Sequence, residues 1–169
     1  MKKLFCLLLV LLLVLTGCAK PAENPEPETE TAAPMVSLYD LRKAMLDAQP
    51  GLPEMSAVSS SDENAAELFT YLSELDYEKV EGYYLAYAAD GKTANEFAVV
   101  CLKDAADLPA LTTTLKAHVQ GRVNLYKTYA PELVEQASAA EIVTVGRYAA
   151  LIMCEDRAAV KAAFLAGVR

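Results

Sequence analysis

The chain has 169 residues, a formal net charge of −8, four cysteines, a single histidine and no tryptophan. Its acidity removes any electrostatic reason to seek nucleic acid and sets it against anionic lipid headgroups. One histidine excludes a histidine-based metal cluster, and only two of the four cysteines, Cys101 and Cys154, lie beyond the first eighteen residues, too few for a disulfide-stapled scaffold.

Two lysines, Lys2 and Lys3, lead into an apolar run over residues 4–15 that ends at Leu15-Thr16-Gly17-Cys18. A charged start, an apolar stretch and a small-residue cleavage site make a secretory signal, not part of the fold. The run is too short to span a bilayer, which needs roughly 20 apolar residues. Leu-Thr-Gly-Cys resembles the bacterial lipobox. That resemblance implies cleavage after residue 17, a diacylated Cys18 as the mature N-terminus, and anchoring on the outer face of a cell membrane. The plainer alternatives are an ordinary secretory peptide that ends in cysteine, or a retained anchor. Without residues 1–17 the charge becomes −10, because Lys2 and Lys3 go with them. Membrane contact then rests on the acyl chains, and stable anchoring needs more than one of them.

Residues 18–36 read as the lipidated cysteine and a tether. AKPAENPEPETETAAP holds four prolines and four glutamates, with no aromatic or branched aliphatic side chain. Such a segment has too little apolar surface to offset the entropy of ordering it, and its prolines and like charges favour an extended chain. Residues 37–169 remain as one domain, long enough to bury a core.

Within that domain Ser37 is placed to cap a helix over 38–48, with Leu38, Leu41, Met45 and Ala48 on one face. Pro50-Gly51 ends it, and residues 55–58 suit a short strand. Ser60 and Glu63 have capping-box spacing ahead of a helix through Leu68, Tyr71 and Leu72. EGYYLAYA (81–88) and EFAVVCL (96–102) are strand-like, joined across Asp90-Gly91, a hairpin signal. The longest helix runs from residue 105 or 108 to 129, closed by Pro131, with a short helix through Leu133 and Val134 behind it. Residues 142–145 and 148–154 flank Gly146-Arg147, a pair suited to a type II′ turn. Asp156 is placed to cap a last helix carrying Val160 and Phe164. The resulting class is α+β: a mainly antiparallel sheet built from two β-hairpins, with helices packed on one face in a two-layer arrangement.

Candidate sites are few. Wound at about 100° per residue, the long helix puts Leu108, Leu111, Leu115, Val119, Tyr126 and Tyr129 on one face. His118 falls at its edge and Arg122 inside it. A guanidinium in an apolar stripe must find a partner. Two readings stay open: a structural arginine, or an anion hook between helix and sheet, with His118 and Tyr126 beside it. Gly121 next to it marks either a close approach or a break in the helix. Tyr83 and Tyr87 point opposite to Tyr84 by strand alternation, so one tyrosine face packs and the other is available to a ligand. Cys101 and Cys154 both end strands. A disulfide between them requires neighbouring strands in register; otherwise they are buried thiols. Glu74, Asp76, Glu78 and Glu81 lack the spacing of a calcium loop. No phosphate-binding glycine loop, Gly-x-Ser-x-Gly or Cys-x-x-Cys occurs, so the sequence assigns no catalytic residue, metal or cofactor.

The motifs YDLRKAML, VEGYYLAYAADGKTANEFAVVCLKD, RVNLYKTYAPE and VTVGRYAALIMCED follow the lipobox and Pro/Glu tether. Together, over residues 37–164, they resemble a family of small bacterial lipoproteins known as domain of unknown function 4358. The family has no established activity, so the resemblance implies a surface-anchored lipoprotein and carries over no binding or catalytic residue.

The expected function is that of a non-enzymatic, membrane-anchored module that captures a small ligand or docks on an envelope protein. The alternatives are an enzyme with a dispersed site near His118 and Arg122, or a purely structural envelope protein. A pocket lined by Arg122 and tyrosines favours ligand binding; a flat apolar patch favours a protein partner. A carboxylate beside His118 inside a cleft favours the enzyme. Replacing Cys18→Ala should abolish fatty-acid labelling in cells and leave an unprocessed or soluble chain, whereas unchanged labelling would refute the lipobox.

Overall fold

The computed structural model describes residues 36–169; the expected signal peptide, Cys18 and most of the tether lie outside the described residues. Ser37 does cap the first helix, α1 (Leu38–Asp47), its hydroxyl accepting from the Asp40 N–H at 3.3 Å. After β1 (Met55–Ser59) and the short α2 (Ala65–Phe69), β2 (Val80–Ala88) and β3 (Glu96–Leu102) form the first hairpin. The long helix α3 (Leu108–Tyr129) follows, then α4 (Val134–Ser138), the hairpin of β4 (Glu141–Val145) and β5 (Tyr148–Met153), and α5 (Arg157–Gly167). Gly146 alone takes positive φ in the second hairpin turn, at 56°, as a type II′ turn requires.

The five strands lie in the order β1-β2-β3-β5-β4, with every neighbouring pair antiparallel. The expected α+β class and hairpin-built sheet are therefore present. Helices α2 and α3 cover one face, while α1 and α5 form a further layer on the other. The cause lies in the central strands. EFAVVCL and YAALIM are buried at every position, and a strand apolar on both sides needs cover on both. Alternation sends Phe97, Val99, Tyr148, Ala150 and Ile152 toward α1 and α5, where Met45 and Phe164 meet them. Ala98, Val100, Leu102, Ala149 and Leu151 point the other way, against Leu111 and Leu115 of α3 and Phe69 of α2. Residues 36–169 thus carry the whole sheet and its apolar clusters, so this segment holds its own core. No helix among the described residues is long and apolar enough to cross a membrane.

Two local expectations shift. Ser60 does not cap a helix: its N–H donates to the Tyr83 carbonyl at 3.0 Å, extending the β1–β2 pairing, and α2 starts later, at Ala65, its N-cap Asn64 making no side-chain hydrogen bond. Tyr129, expected on the buried face of α3, is exposed, and Val123 is buried instead. Toward its end α3 packs on α4 and the segment before it as well as on the end of β5, where Val123 and Tyr126 cluster with Leu133, Ala137 and Met153.

Cys101 and Cys154 are both buried free thiols. Cys101 lies opposite Tyr148 while Glu96 lies opposite Met153, so Cys154 sits at the far end of the β3–β5 pair. Six strand steps place the two about 20 Å apart, far beyond disulfide reach. The disulfide considered from sequence does not form, because these strands pair antiparallel. Burial pushes the Cys154 thiol up to about 11 and the Tyr83 phenol up to about 12, and raises Cys101 as well. The neutral forms are thus favoured in the fold. Their contribution to stability is complete below the unfolded values, about 8.5 for a thiol and 10 for a phenol, and fades as pH climbs through the folded ones. The melting temperature of residues 35–169 should therefore fall progressively above about pH 9. Native protein should resist thiol reagents at pH 8, with both thiols reacting only on unfolding. Rapid native labelling would place the thiols in water.

Candidate binding cleft

Glu96 is the first residue of β3, and strand alternation points it, with Ala98 and Val100, toward α3. It is 2 % exposed, a place where an ionised carboxylate survives only with partners. His118 and Arg122, one turn apart on α3, supply them. The His118 imidazole Nε2 is hydrogen-bonded to Oε1 of Glu96. Arg122 Nε lies 3.1 Å from Oε2, an ion-pair contact whose angle falls short of a hydrogen bond. One helical turn further, Tyr126 accepts a hydrogen bond at 2.5 Å from Arg122 Nη2, and its ring centroid lies 4.9 Å from the guanidinium carbon. Burial raises the Tyr126 phenol above its ordinary value, with the Arg122 charge opposing that rise. His118, Arg122 and Tyr126 follow the four-residue helical spacing that stacks side chains on one face; the strand carboxylate completes the cluster.

Over this cluster opens a cleft of about 610 Å³. Its sheet wall is Val58, Leu85 and Tyr87 on adjacent strands, with Tyr87 opposite Glu96 in the register. Leu68 and Tyr71 close it from the α2 side, and Gly121 and Leu125 from α3. The walls are apolar and the polar groups gather at one place. Exposure grades across the cluster: the side chain of Glu96 is 3 % exposed, His118 15 % and Arg122 29 %. The carboxylate is dry, while the two cationic or ionisable partners reach the cleft. His118 also borders a second cavity of about 340 Å³, where Thr70, Thr113, Thr114 and Ser73 contribute hydroxyls and Ser73 and Thr114 lie 2.6 Å apart.

Arg122, His118 and Tyr126, singled out from the helical pattern, are therefore brought together. Tyr83 and Tyr84 are core residues on opposite faces, the Tyr83 hydroxyl donating to the Ala65 carbonyl at 2.8 Å. Tyr87 does line the cleft. Gly121 marks neither a break nor a close approach: α3 is continuous there, and an added Cβ meets nothing within 4 Å. Glu96 was missed. Its parity with Ala98 and Val100 was readable, but not which sheet face α3 covers.

A carboxylate–imidazole pair can move a proton, and a guanidinium can hold an anion. No serine, threonine or cysteine lines the 610 Å³ cleft among the described residues, so it offers no side-chain nucleophile of those types. No group of three or more potential metal ligands occurs among the described residues. If the cluster is a structural unit, its members must couple. Arg122→Ala should destabilise the domain by about 1–3 kcal/mol, the range for leaving a buried polar group without its partner. The same change in a Glu96→Gln background should cost much less. Urea melts of the four proteins give the coupling, and equal costs in both backgrounds would show that the ion pair contributes nothing.

The family model for the domain of unknown function DUF4358 matches residues 54–154. No curated protein and no solved structure matches the chain. The matched stretch is narrower than the resemblance read from the motifs, since YDLRKAML and α1 precede it and α5 follows it. It contains all five strands, α2, α3 and every residue lining the cleft. With more than half of its length matched, the chain belongs to the DUF4358 family.

Proposed function

We propose that this chain is a lipid-anchored extracytoplasmic protein whose domain binds a small, largely apolar ligand in the cleft between α3 and the sheet. The observation that carries the reading is the cleft itself: apolar walls converging on one cluster of ionisable groups. Ligand sites typically combine that kind of lining with a few placed polar groups, in volumes of about 300–1,000 Å³. Tyr71, Tyr87 and Leu125 are exposed large side chains at this cleft, apolar surface that an occupant would cover. The anchor at Cys18 and the Pro/Glu tether would hold the domain clear of the bilayer, so ligand would be taken from the extracellular medium or a neighbouring envelope component.

A second reading rests on the Glu96–His118 pair. A carboxylate holding an imidazole inside a cleft has the arrangement of an acid–base pair, and an enzyme built on it would use water as nucleophile. The binding reading is preferred because Arg122 neutralises the same carboxylate, and no serine, threonine or cysteine lines the cleft among the described residues.

Gly121→Leu provides the direct test. It replaces a poor helix former by a good one, worth up to about 1 kcal/mol, and adds a side chain beside open cleft space. Residues 35–169 extracted gently and weighed intact by native mass spectrometry should carry a stoichiometric extra mass. The Gly121→Leu protein should weigh as the bare chain while melting no lower than the wild type. A bare wild-type mass, or an extra mass retained in Gly121→Leu, would overturn the proposal. A released compound that differs chemically from the one supplied would establish the enzyme instead.

A further inference from the structure

We infer that the ligand's polar end is a carboxylate, so that the cleft selects an amphipathic monocarboxylate: one anionic head on an apolar chain or ring. This deepens the reading of the cleft as a binding site and rests on it.

The inference follows from counting donors and acceptors at the cluster. An ionised carboxylate has only acceptors, and both oxygens of Glu96 are already engaged, Oε1 by His118 and Oε2 by Arg122. Its charge is matched by the guanidinium beside it. Each oxygen of Glu96 already faces a partner on α3, and at 3 % side-chain exposure the carboxylate is not presented to a ligand. A guanidinium, by contrast, carries five N–H donors. Arg122 directs Nε toward Glu96 and one N–H of Nη2 to Tyr126, which leaves most of its terminal fork unpaired among the described residues. Its side chain is also the most exposed of the three. What the cluster still offers the cleft is thus a planar fork of donors on a permanent cation, beside an imidazole.

A planar two-oxygen acceptor fits that fork in bidentate fashion. A cationic head would meet the guanidinium across apolar walls, with no free acceptor to balance it. A neutral hydroxyl would satisfy fewer donors and bring no charge of its own. The remainder of the ligand is set by Val58, Leu68, Leu85 and Leu125, which offer it no charge.

Isothermal titration of residues 35–169 with decanoate, decanol and decyltrimethylammonium, all below their micellar concentrations, tests the assignment. Decanoate should bind about tenfold or more tighter than decanol, and the ammonium compound should not bind. Arg122→Gln should abolish the preference for decanoate over decanol, provided thermal melts show it folded. Arg122→Lys, which keeps the charge but loses the fork, should retain only part of it. Gly121→Leu should remove binding of all three. If decanol binds as tightly as decanoate, or if Arg122→Gln keeps the preference, the carboxylate assignment falls while the apolar cleft stands. If none of the three binds, the cleft reading falls with it.

Discussion

Two of the five strands are enclosed on both faces, and one of them begins with a glutamate. Every other residue of β3 and β5 solves its burial by being apolar. Glu96 cannot, and an unpartnered carboxylate there would stay out of the core or lose its charge. Its solution comes from a different element: two side chains of α3, four residues apart, reach one carboxylate oxygen each. That clamp fixes more than the charge. It sets the height and rotation of α3 over the sheet at its middle, with Leu111 and Leu115 packed on β3 and β5 before it. Val123 and Tyr126 are packed on the α4 side beyond it.

The cleft is a consequence of that arrangement. Polar side chains that span the gap between helix and sheet leave space where close-packed leucines would have filled it. Gly121 leaves more, since nothing stands within 4 Å of where its Cβ would be. The short α2 contributes Leu68 and then ends, so Tyr71 falls in a turn at the cleft mouth and is 67 % exposed. A helix that continued through Leu72, as periodicity suggested, would have drawn Tyr71 into regular packing. The opposite face, built by α1 and α5, is filled by Met45, Phe97 and Phe164. The site and the family match also coincide on one side of the molecule, since α1 and α5 lie outside residues 54–154.

Much of this was legible in the residues, and the limits have physical causes. Both hairpins followed from turn chemistry, Asp90-Gly91 and Gly146-Arg147, because positive φ is a local property. The length and buried stripe of α3 followed from its 3.6-residue period as far as Tyr126. The pattern then failed at Tyr129, because the surface α3 packs against changes from sheet to helix, and no periodicity records a change of partner. Arg122 announced itself as a charge in an apolar stripe. Its partner did not, since a glutamate opening a strand looks the same whether it faces water or a helix. Helices on both faces could have been read from EFAVVCL and YAALIM, which do not alternate. The disulfide question needed the strand register, which sequence leaves open.

The charge of the whole chain and the charge of the site work in opposite directions. At a net charge of −8, the long-range field slows the approach of an anion instead of steering it in. That field is screened over about 8 Å at physiological ionic strength, so it bears on encounter more than on the bound state. Inside the cleft the nearest carboxylate is already matched by Arg122, and the walls around the guanidinium are apolar. A site of this kind gains affinity from slow release more than from fast capture. On the proposed reading, an acidic chain would also keep the apolar mouth of the cleft off anionic headgroups, so that Tyr71, Tyr87 and Leu125 would meet a dissolved amphiphile before the bilayer. For a domain that a tether would hold near a membrane, that repulsion would be a source of selectivity, leaving the cleft to single molecules and away from the lipid surface beside it.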